Sequence, residues 1–350
     1  ALHAQPLPPE PNPTMAGQLL INLLGSPNIA SRHSVYRQYD HEVQTNTLAK
    51  PGAGDAAIVR IRGTKKAIAI AIDGNGRHAY LEPFAGGAMA VAEACRNVVC
   101  AGGTPLAITD CLNFGDPTKP EIYYQLEESI KGMSAACEAL GVPVISGNVS
   151  LFNESAGEAI YPTPVVGAVG LLEDATTKLT AGFTDAGDVV LLLGDPATGL
   201  AGSEYLAHEY DQISGQPTIN LAAETSLQKL VVALANDRLL HSAHDCADGG
   251  LGVAIAESAI IGAQGFTGSV PSADRWDASL FGEAPSRIVI SCAPSDTDSI
   301  SERAAASGVP ATRLGTVGGD HFAIDGLLDL PLADAIDAHA NGLDRALGAV

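Results

Sequence analysis

Thr104-Pro105-Leu106-Ala107-Ile108-Thr109-Asp110-Cys111-Leu112, then Pro120 to Leu140, then Val142-Pro143-Val144-Ile145-Ser146-Gly147-Asn148-Val149-Ser150 form the stretch on which the reading of this chain turns. The first run is short and mostly apolar, which predicts a strand. The second has helical spacing, with Pro120 near its first turn and Gly141 at its end. The third opens with a short buried strand, Val142-Ser146, and runs into the polar turn Ser146-Gly147-Asn148-Val149-Ser150. Asp110 falls at the carboxyl end of the first strand and Gly147-Asn148 just after the second. If the strands lie side by side, a carboxylate, an unhindered glycine backbone, an amide oxygen and the Ser150 hydroxyl converge on one spot. Glycine lets phosphate oxygens approach main-chain N–H groups, Asn and Asp oxygens suit a hard cation, and serine can donate to a substrate oxygen. On spacing alone a plain strand-ending turn is the favoured reading.

Outward from this stretch, apolar strands alternate with amphipathic helices. Ala56-Arg62 and Ala67-Asp73 are strand-like, Gly87-Ala101 has helical spacing, and Thr163 to Leu172 is a further strand. Near Asp174 the texture turns polar. A second series follows: strand Asp188-Gly194, helices Ser226-Asn236 and Leu251-Gly262, and strands Arg287-Cys292 and Thr312-Val317 bracketing another helix. The expectation is two α+β domains, at 33–175 and 176–350, after a Pro-rich linker and lead-in helix over 1–32. Five prolines within Ala1 to Pro13 make an extended linker the natural reading, and a linker at a chain start suggests a domain ahead of it.

Composition narrows the function. Residues of the hydrophobic class make up 46% of the 350, enough for sizeable cores, and no apolar stretch has the length of a membrane span. Nineteen basic against forty acidic residues give a formal charge of −21, which disfavours nucleic acid and anionic membrane as partners. A phosphate-bearing substrate then calls for a metal or a basic partner surface. Six cysteines, without CxxC pairing, read as reduced thiols of a cytoplasmic protein.

A second polar set is Asp73, Glu93, Asn97 and Asp245. Glu93 and Asn97 are four apart and share a helix face, so both can ligate one cation, although a solvated face has the same spacing. Asp248, before Gly249-Gly250, serves either as a helix cap or as a ligand contact. His41, between Asp40 and Glu42, is either a base or part of a solvated surface run. Neither a Walker A loop nor a dinucleotide-type glycine fingerprint occurs.

Ser26-Pro27-Asn28-Ile29-Ala30-Ser31, Tyr36-Arg37-Gln38-Tyr39-Asp40-His41, Gln44-Thr45-Asn46-Thr47, Asp110-Cys111-Leu112-Asn113-Phe114-Gly115 and Ser146 to Leu151 together resemble the synthetase subunit of formylglycinamide ribonucleotide amidotransferase. Gly202-Ser203-Glu204-Tyr205 and His244 to Gly250 agree, so the likeness runs from about Gly17 to the C-terminus. The family belongs with aminoimidazole ribonucleotide synthetase, selenophosphate synthetase and thiamine monophosphate kinase. Its full subunit is a tandem duplication of two-domain units, and this chain resembles the second.

The resemblance implies an N-terminal mixed-sheet domain that pairs with a like domain, and a C-terminal α/β sandwich domain. It implies an ATP- and Mg2+-dependent C–N ligase of de novo purine biosynthesis: formylglycinamide ribonucleotide plus glutamine-derived ammonia gives formylglycinamidine ribonucleotide through a phosphorylated amide. Asp110 and Gly147 would contact ATP, Asn148 would ligate magnesium and Ser150 would touch the ribonucleotide. The catalytic histidine belongs to the first half. Asp73, Glu93, Asn97 and Asp245 match an auxiliary nucleotide and metal site, where Ala247 replaces a serine. Implied partners are the N-terminal half, a glutaminase subunit and a small bridging subunit. Two other readings stay open: a stand-alone homodimeric member of the superfamily, and a non-catalytic scaffold half that binds a nucleotide.

Overall fold

The computed structural model describes residue 3 and residues 5–196, 199–271 and 274–349, with the side chain of Val43 set aside. Helix α1 (Ala16–Leu24) buries Leu19, Leu20, Leu23 and Leu24, and a short α2 (His33–Tyr36) follows. Residues 5–12 of the Pro-rich start have no regular secondary structure but are fastened down. The Pro8 and Pro11 carbonyls accept from the Arg275 and Trp276 side chains, and Glu10 accepts the Trp276 main-chain N–H. Helix α1 belongs to the core of the second half of the chain.

The first sheet contains β1 (Thr47–Ala49), β2 (Ala57–Arg60), β3 (Ala67–Asp73), then, after α3 (Gly76–Leu81) and α4 (Pro83–Cys100), β4 (Thr104–Asn113). Helix α5 (Pro120–Leu140) leads to β5 (Val144–Ser150), and a small hairpin, β6 (Glu154–Ser155) and β7 (Glu158–Ala159), precedes β8 (Thr163–Leu172). The strand order is β1-β2-β3-β8-β4-β5, antiparallel except for the parallel pair β4 and β5. A parallel pair needs a crossover, and α5 supplies it. Gly141, in the left-handed region at φ 71, ends that helix as its position predicts.

Helices α4 and α5 cover one face of this sheet and cross closely. A Cβ on Gly87 would lie 2.3 Å from the Ser129 carbonyl oxygen, and one on Gly132 would lie 1.9 Å from that of Phe84. The other face is open. In β3 the alanines at 67, 69 and 71 are buried, whereas Ile70 and Ile72 are 45% and 74% exposed. The larger side chains of an alternating strand thus point outward, the reverse of a sheet with one wetted face.

The second sheet is mixed and seven-stranded, in the order β10-β12-β9-β13-β11-β14-β15. Its strands are β9 (Val189–Gly194), β10 (Ser242–Asp245), β11 (Phe266–Gly268), β12 (Arg287–Cys292), β13 (Ala311–Val317), β14 (His321–Ile324) and β15 (Leu328–Pro331). Helices α6 (Glu204–Tyr210), α7 (Leu221–Asn236), α8 (Gly250–Gly262), α9 (Trp276–Phe281), α10 (Thr297–Ala306) and α11 (Leu332–Ala346) are interleaved. Every residue of β9 and β12 is buried, because α1, α8 and α11 pack on one face while α7 and α10 pack on the other. Burial on both faces explains the unbroken apolar run Val189-Val190-Leu191-Leu192-Leu193.

Candidate functional site

Asp110 and Gly147 are direct neighbours in the parallel register of β4 and β5, followed by Cys111 beside Asn148 and Asn113 beside Ser150. Ser146 to Ser150 is therefore strand, not the turn that its polar composition predicts, and β5 begins two residues later than expected. Nor is this strand buried: β5 is a sheet edge, and every residue from Val144 to Val149 is exposed. Hydrogen bonding to β4 holds the polar run extended, and an edge accepts polar side chains without burying them.

The pairing places Asp110 over a bare backbone. A Cβ on Gly147 would meet Asp110 Oδ1 at 2.5 Å, so glycine is what lets the carboxylate lie across the neighbouring strand. Partial burial raises the Asp110 pKa, opposed by a hydrogen bond from the Asn148 main chain. Successive side chains alternate faces, so Asn148 and Ser150 point away from Asp110. The Asn148 amide accordingly lies 3.9 Å from the Cys111 sulfur, and the Ser150 hydroxyl donates to Asn153 Oδ1 at 3.2 Å. The expected convergence of four groups on one spot thus becomes two pairs of residues on two faces of one edge. Cys111 is the exposed thiol among the six; the other five are buried, and all six are free.

Asp73, Glu93, Asn97 and Asp245 do line one cavity, of about 250 Å3, between the two halves of the fold. Asp73 ends β3, Glu93 and Asn97 are one turn apart on α4, and Asp245 ends β10. Asn97 Nδ2 donates to Asp73 Oδ2 at 2.8 Å, leaving the amide oxygen for another partner. Burial, then Asp248 and Asp245, push the Asp73 carboxyl up to about 7; burial and Asp73 push Glu93 well above the usual carboxylate range. Carboxylates that raise one another's proton affinity, beside an amide oxygen, form a donor set suited to a hard cation. Asp245 is differently placed. Arg96, 1% exposed, grips both of its oxygens and also reaches Glu224 Oε2 at 3.0 Å. Burial alone would weaken the Arg96 charge, but Asp245, Glu224 and Glu93 outweigh it. Ala247 lines the same cavity and offers no side-chain donor.

Asp248 is not a cap: Gly249, at φ 80, occupies the N-cap of α8, and Asp248 instead accepts from Asn75 and lies 3.7 Å from Arg77. His41 contacts the Tyr39 carbonyl and the Tyr36 ring, away from both residue sets.

Three cavity residues escape the sequence reading. His244 Nδ1 contacts Asp55 Oδ1 at 2.6 Å, and its Nε2 contacts Glu257 Oε2 at 2.9 Å. Asp55 Oδ2 also accepts the Asp245 main-chain N–H at 2.8 Å. Burial favours neutral imidazole, but Asp55 and Glu257 overcome it and raise the His244 pKa well above its usual value. Asp55 is hidden in the turn-like Gly52-Ala53-Gly54-Asp55 run. Glu257 did carry a signal, being the single ionisable residue in the otherwise apolar α8.

Residues 53–172 match the AIR synthase related protein, N-terminal domain, and residues 185–325 match its C-terminal domain. The phosphoribosylformylglycinamidine synthase subunit PurL of Moorella thermoacetica is 48% identical over 315 residues, covering 90% of this chain and 43% of the relative. That of Alkaliphilus metalliredigens is 49% identical over 313 residues, covering 89% and 42%. The chain thus spans less than half the length of these two relatives. In fold it is similar to Thermotoga maritima PurL complexed with FGAR, with a TM-score of 0.76 at 19% identity, covering 94% of this chain and 54% of that one. With both domains matched in order and the motifs of β4 and β5 in place, the chain belongs to the AIR synthase-related family, in its phosphoribosylformylglycinamidine synthase branch.

Proposed function

We propose that this chain forms one wall of an ATP-dependent synthetase site that converts formylglycinamide ribonucleotide and glutamine-derived ammonia to formylglycinamidine ribonucleotide in purine biosynthesis. The observation that carries this reading is the Asp110–Gly147 pair on an open edge strand, in a chain 48% identical to a protein named for that activity. Structures of the Thermotoga protein are described as complexes with FGAR and with ATP, which agrees with a site for both.

In this reading the bare Gly147 backbone lets the Asp110 carboxylate lie across β5, and the pair fixes the nucleotide at this edge. Asn148 and Ser150 serve the opposite face, the amide toward a metal-bound phosphate and the hydroxyl toward the ribonucleotide. Magnesium fits the Asp73, Glu93 and Asn97 oxygens better than it fits Asn148, which contributes one neutral oxygen and needs donors from outside this chain. When bound, the ion neutralises phosphate charge. The auxiliary nucleotide would share the cavity of Asp73, Glu93, Asn97 and Asp245. We assign no catalytic acid or base to this chain.

The open sheet face bearing Ile70 and Ile72 is where a like domain from the other half of the subunit would pack, and a glutaminase and a small bridging subunit would complete a cytoplasmic assembly. We take 1–32 as lead-in, 33–175 as the nucleotide- and metal-binding domain and 176–350 as its companion. The test is Asp110→Ala and Asn148→Ala in a reconstituted full subunit. Loss of a charge-stabilising group lowers turnover on the order of a hundredfold; unchanged turnover with both variants leaves a scaffold role alone.

A further inference from the structure

Asn153 follows Ser150 by three positions, just past the end of β5, and its side chain folds back on that strand. The chain turns at Phe152, a non-glycine residue in the left-handed region at φ 60 and 63% exposed. Such a conformation persists only where its surroundings fix it. Main-chain bonds do so here. Phe152 N–H donates to the Gly115 carbonyl at 3.0 Å, Asn153 N–H to that of Phe114 at 3.1 Å, and Phe114 N–H to that of Ser150 at 3.0 Å. The loop after β5 is thereby closed on the loop after β4 through backbone atoms.

The Asn153 amide has a different task. Its Nδ2 atom donates to the Ser150 carbonyl at 2.9 Å and to the Phe114 carbonyl at 3.1 Å. These two acceptors use both amide hydrogens, and they fix which end of the amide is nitrogen, because an oxygen there would face two oxygens. The other end, Oδ1, can only accept, and it lies 3.2 Å from the Ser150 hydroxyl oxygen. Nδ2 is also 3.1 Å from that oxygen, but its hydrogens already serve the carbonyls. Two oxygens at such a separation attract only with a proton between them. The Ser150 proton is therefore committed to Asn153, and the lone pairs of the hydroxyl are what remain for an outside group.

We propose that Asn153 is a positioning residue of the synthetase site: by holding the Ser150 proton it makes Ser150 an acceptor, matched to a hydrogen-bond donor of the bound ribonucleotide rather than to a phosphate oxygen. The proposal rests on the reading of Ser150 as the ribonucleotide contact and refines it, since an untethered serine hydroxyl serves a donor or an acceptor alike.

The experiment measures kcat and the KM values for formylglycinamide ribonucleotide and for ATP in a reconstituted full subunit carrying Asn153→Leu, a near-isostere without polar atoms. With its proton released the hydroxyl turns freely, so the ribonucleotide KM should rise about tenfold, the equivalent of one hydrogen bond, while kcat and the ATP KM stay within about twofold. Ser150→Ala should show the same pattern, and adding Asn153→Leu to it should change the ribonucleotide KM by less than about twofold, because Asn153 acts through Ser150. A purely structural Asn153 would disturb the ATP KM as well and would add to Ser150→Ala. Asn153→Ser, too short to reach the hydroxyl, carries the same expectations and replaces the leucine variant should that one fail to fold. A ribonucleotide KM that is unchanged or lowered in the Asn153 variants, or full additivity with Ser150→Ala, overturns the proposal. The two levels stay distinguishable: if Ser150→Ala itself has no effect, the reading of Ser150 fails and takes the proposal with it, whereas if Ser150→Ala acts and the Asn153 variants do not, the proposal alone fails.

Discussion

Replacing Arg96 with methionine should cost this protein about 3–5 kcal/mol of stability at pH 8, the range expected when one partner of a buried ion pair is removed. The side chain is 1% exposed and sits on α4, yet it holds Asp245 through two oxygens and Glu224 through one, both on the second half of the chain. Methionine matches its length and apolar stem but leaves the buried Asp245 and Glu224 without their cation. The Asp245 carboxyl, already raised by burial, is then pushed further above its unfolded value. The native state binds the extra protons, so the penalty is greatest above the raised pKa values and shrinks as pH falls toward the unfolded values. Urea unfolding at pH 8 and pH 5 measures this, with the midpoint difference converted through the m-value. The deficit should be at least about 1 kcal/mol smaller at pH 5, since moving a single carboxyl's pKa by one pH unit already corresponds to about 1.4 kcal/mol. Arg96→Met with Asp245→Asn should recover part of the loss, because the pair is then removed together. A deficit below about 1 kcal/mol at pH 8, or one equal at both pH values, refutes the claim that Arg96 clamps the halves electrostatically.

Three further outcomes follow from the geometry. His78 is lowered from 6.5 to about 4, so the stability it contributes is present above pH 6.5 and is lost as pH falls toward 4; by linkage this amounts to roughly 3 kcal/mol, and His78→Leu should flatten that part of the stability–pH curve. Gly147→Ala drives a Cβ into the Asp110 carboxylate on an exposed edge, so nucleotide affinity in the full subunit should fall at least about tenfold, as for loss of one charge-assisted contact, while the melting temperature of the chain changes little. Gly132→Ala forces α5 off the Phe84 carbonyl and should cost about 2 kcal/mol or more, read as a lower urea midpoint.

Much of the fold could be read where physics acts locally. The strand Ala67–Asp73, the helix Pro120–Leu140 with its left-handed Gly141, and the strands Thr163–Leu172 and Arg287–Cys292 appear with the predicted bounds, because alternation, caps and burial on both faces leave direct traces. The β5 strand is misleading in sequence because Ser-Gly-Asn has turn chemistry, and pairing with β4, from Thr109 beside Ser146 to Asn113 beside Ser150, is what keeps it extended. The cavity is half legible. Glu93 and Asn97 share a helix face by spacing, whereas Asp55, His244 and Glu257 meet through tertiary contacts that no spacing encodes. Arg96 stands between the two predicted residues of α4, and its role required knowing that Asp245 and Glu224 come to it from the second half of the chain.

The edge position of β5 carries a thermodynamic corollary. If another domain completes the wall that Asp110 and Gly147 begin, nucleotide affinity and association of the halves are linked functions: whatever factor the partner adds to ATP binding, ATP returns to the association. Saturating nucleotide should then hold the pieces together at dilutions where they otherwise part, and dilution should loosen the nucleotide by the same measure. Stiffening β5 would leave this exchange intact. Fusing the halves would hide it, because a tether makes the local concentration of partner constant.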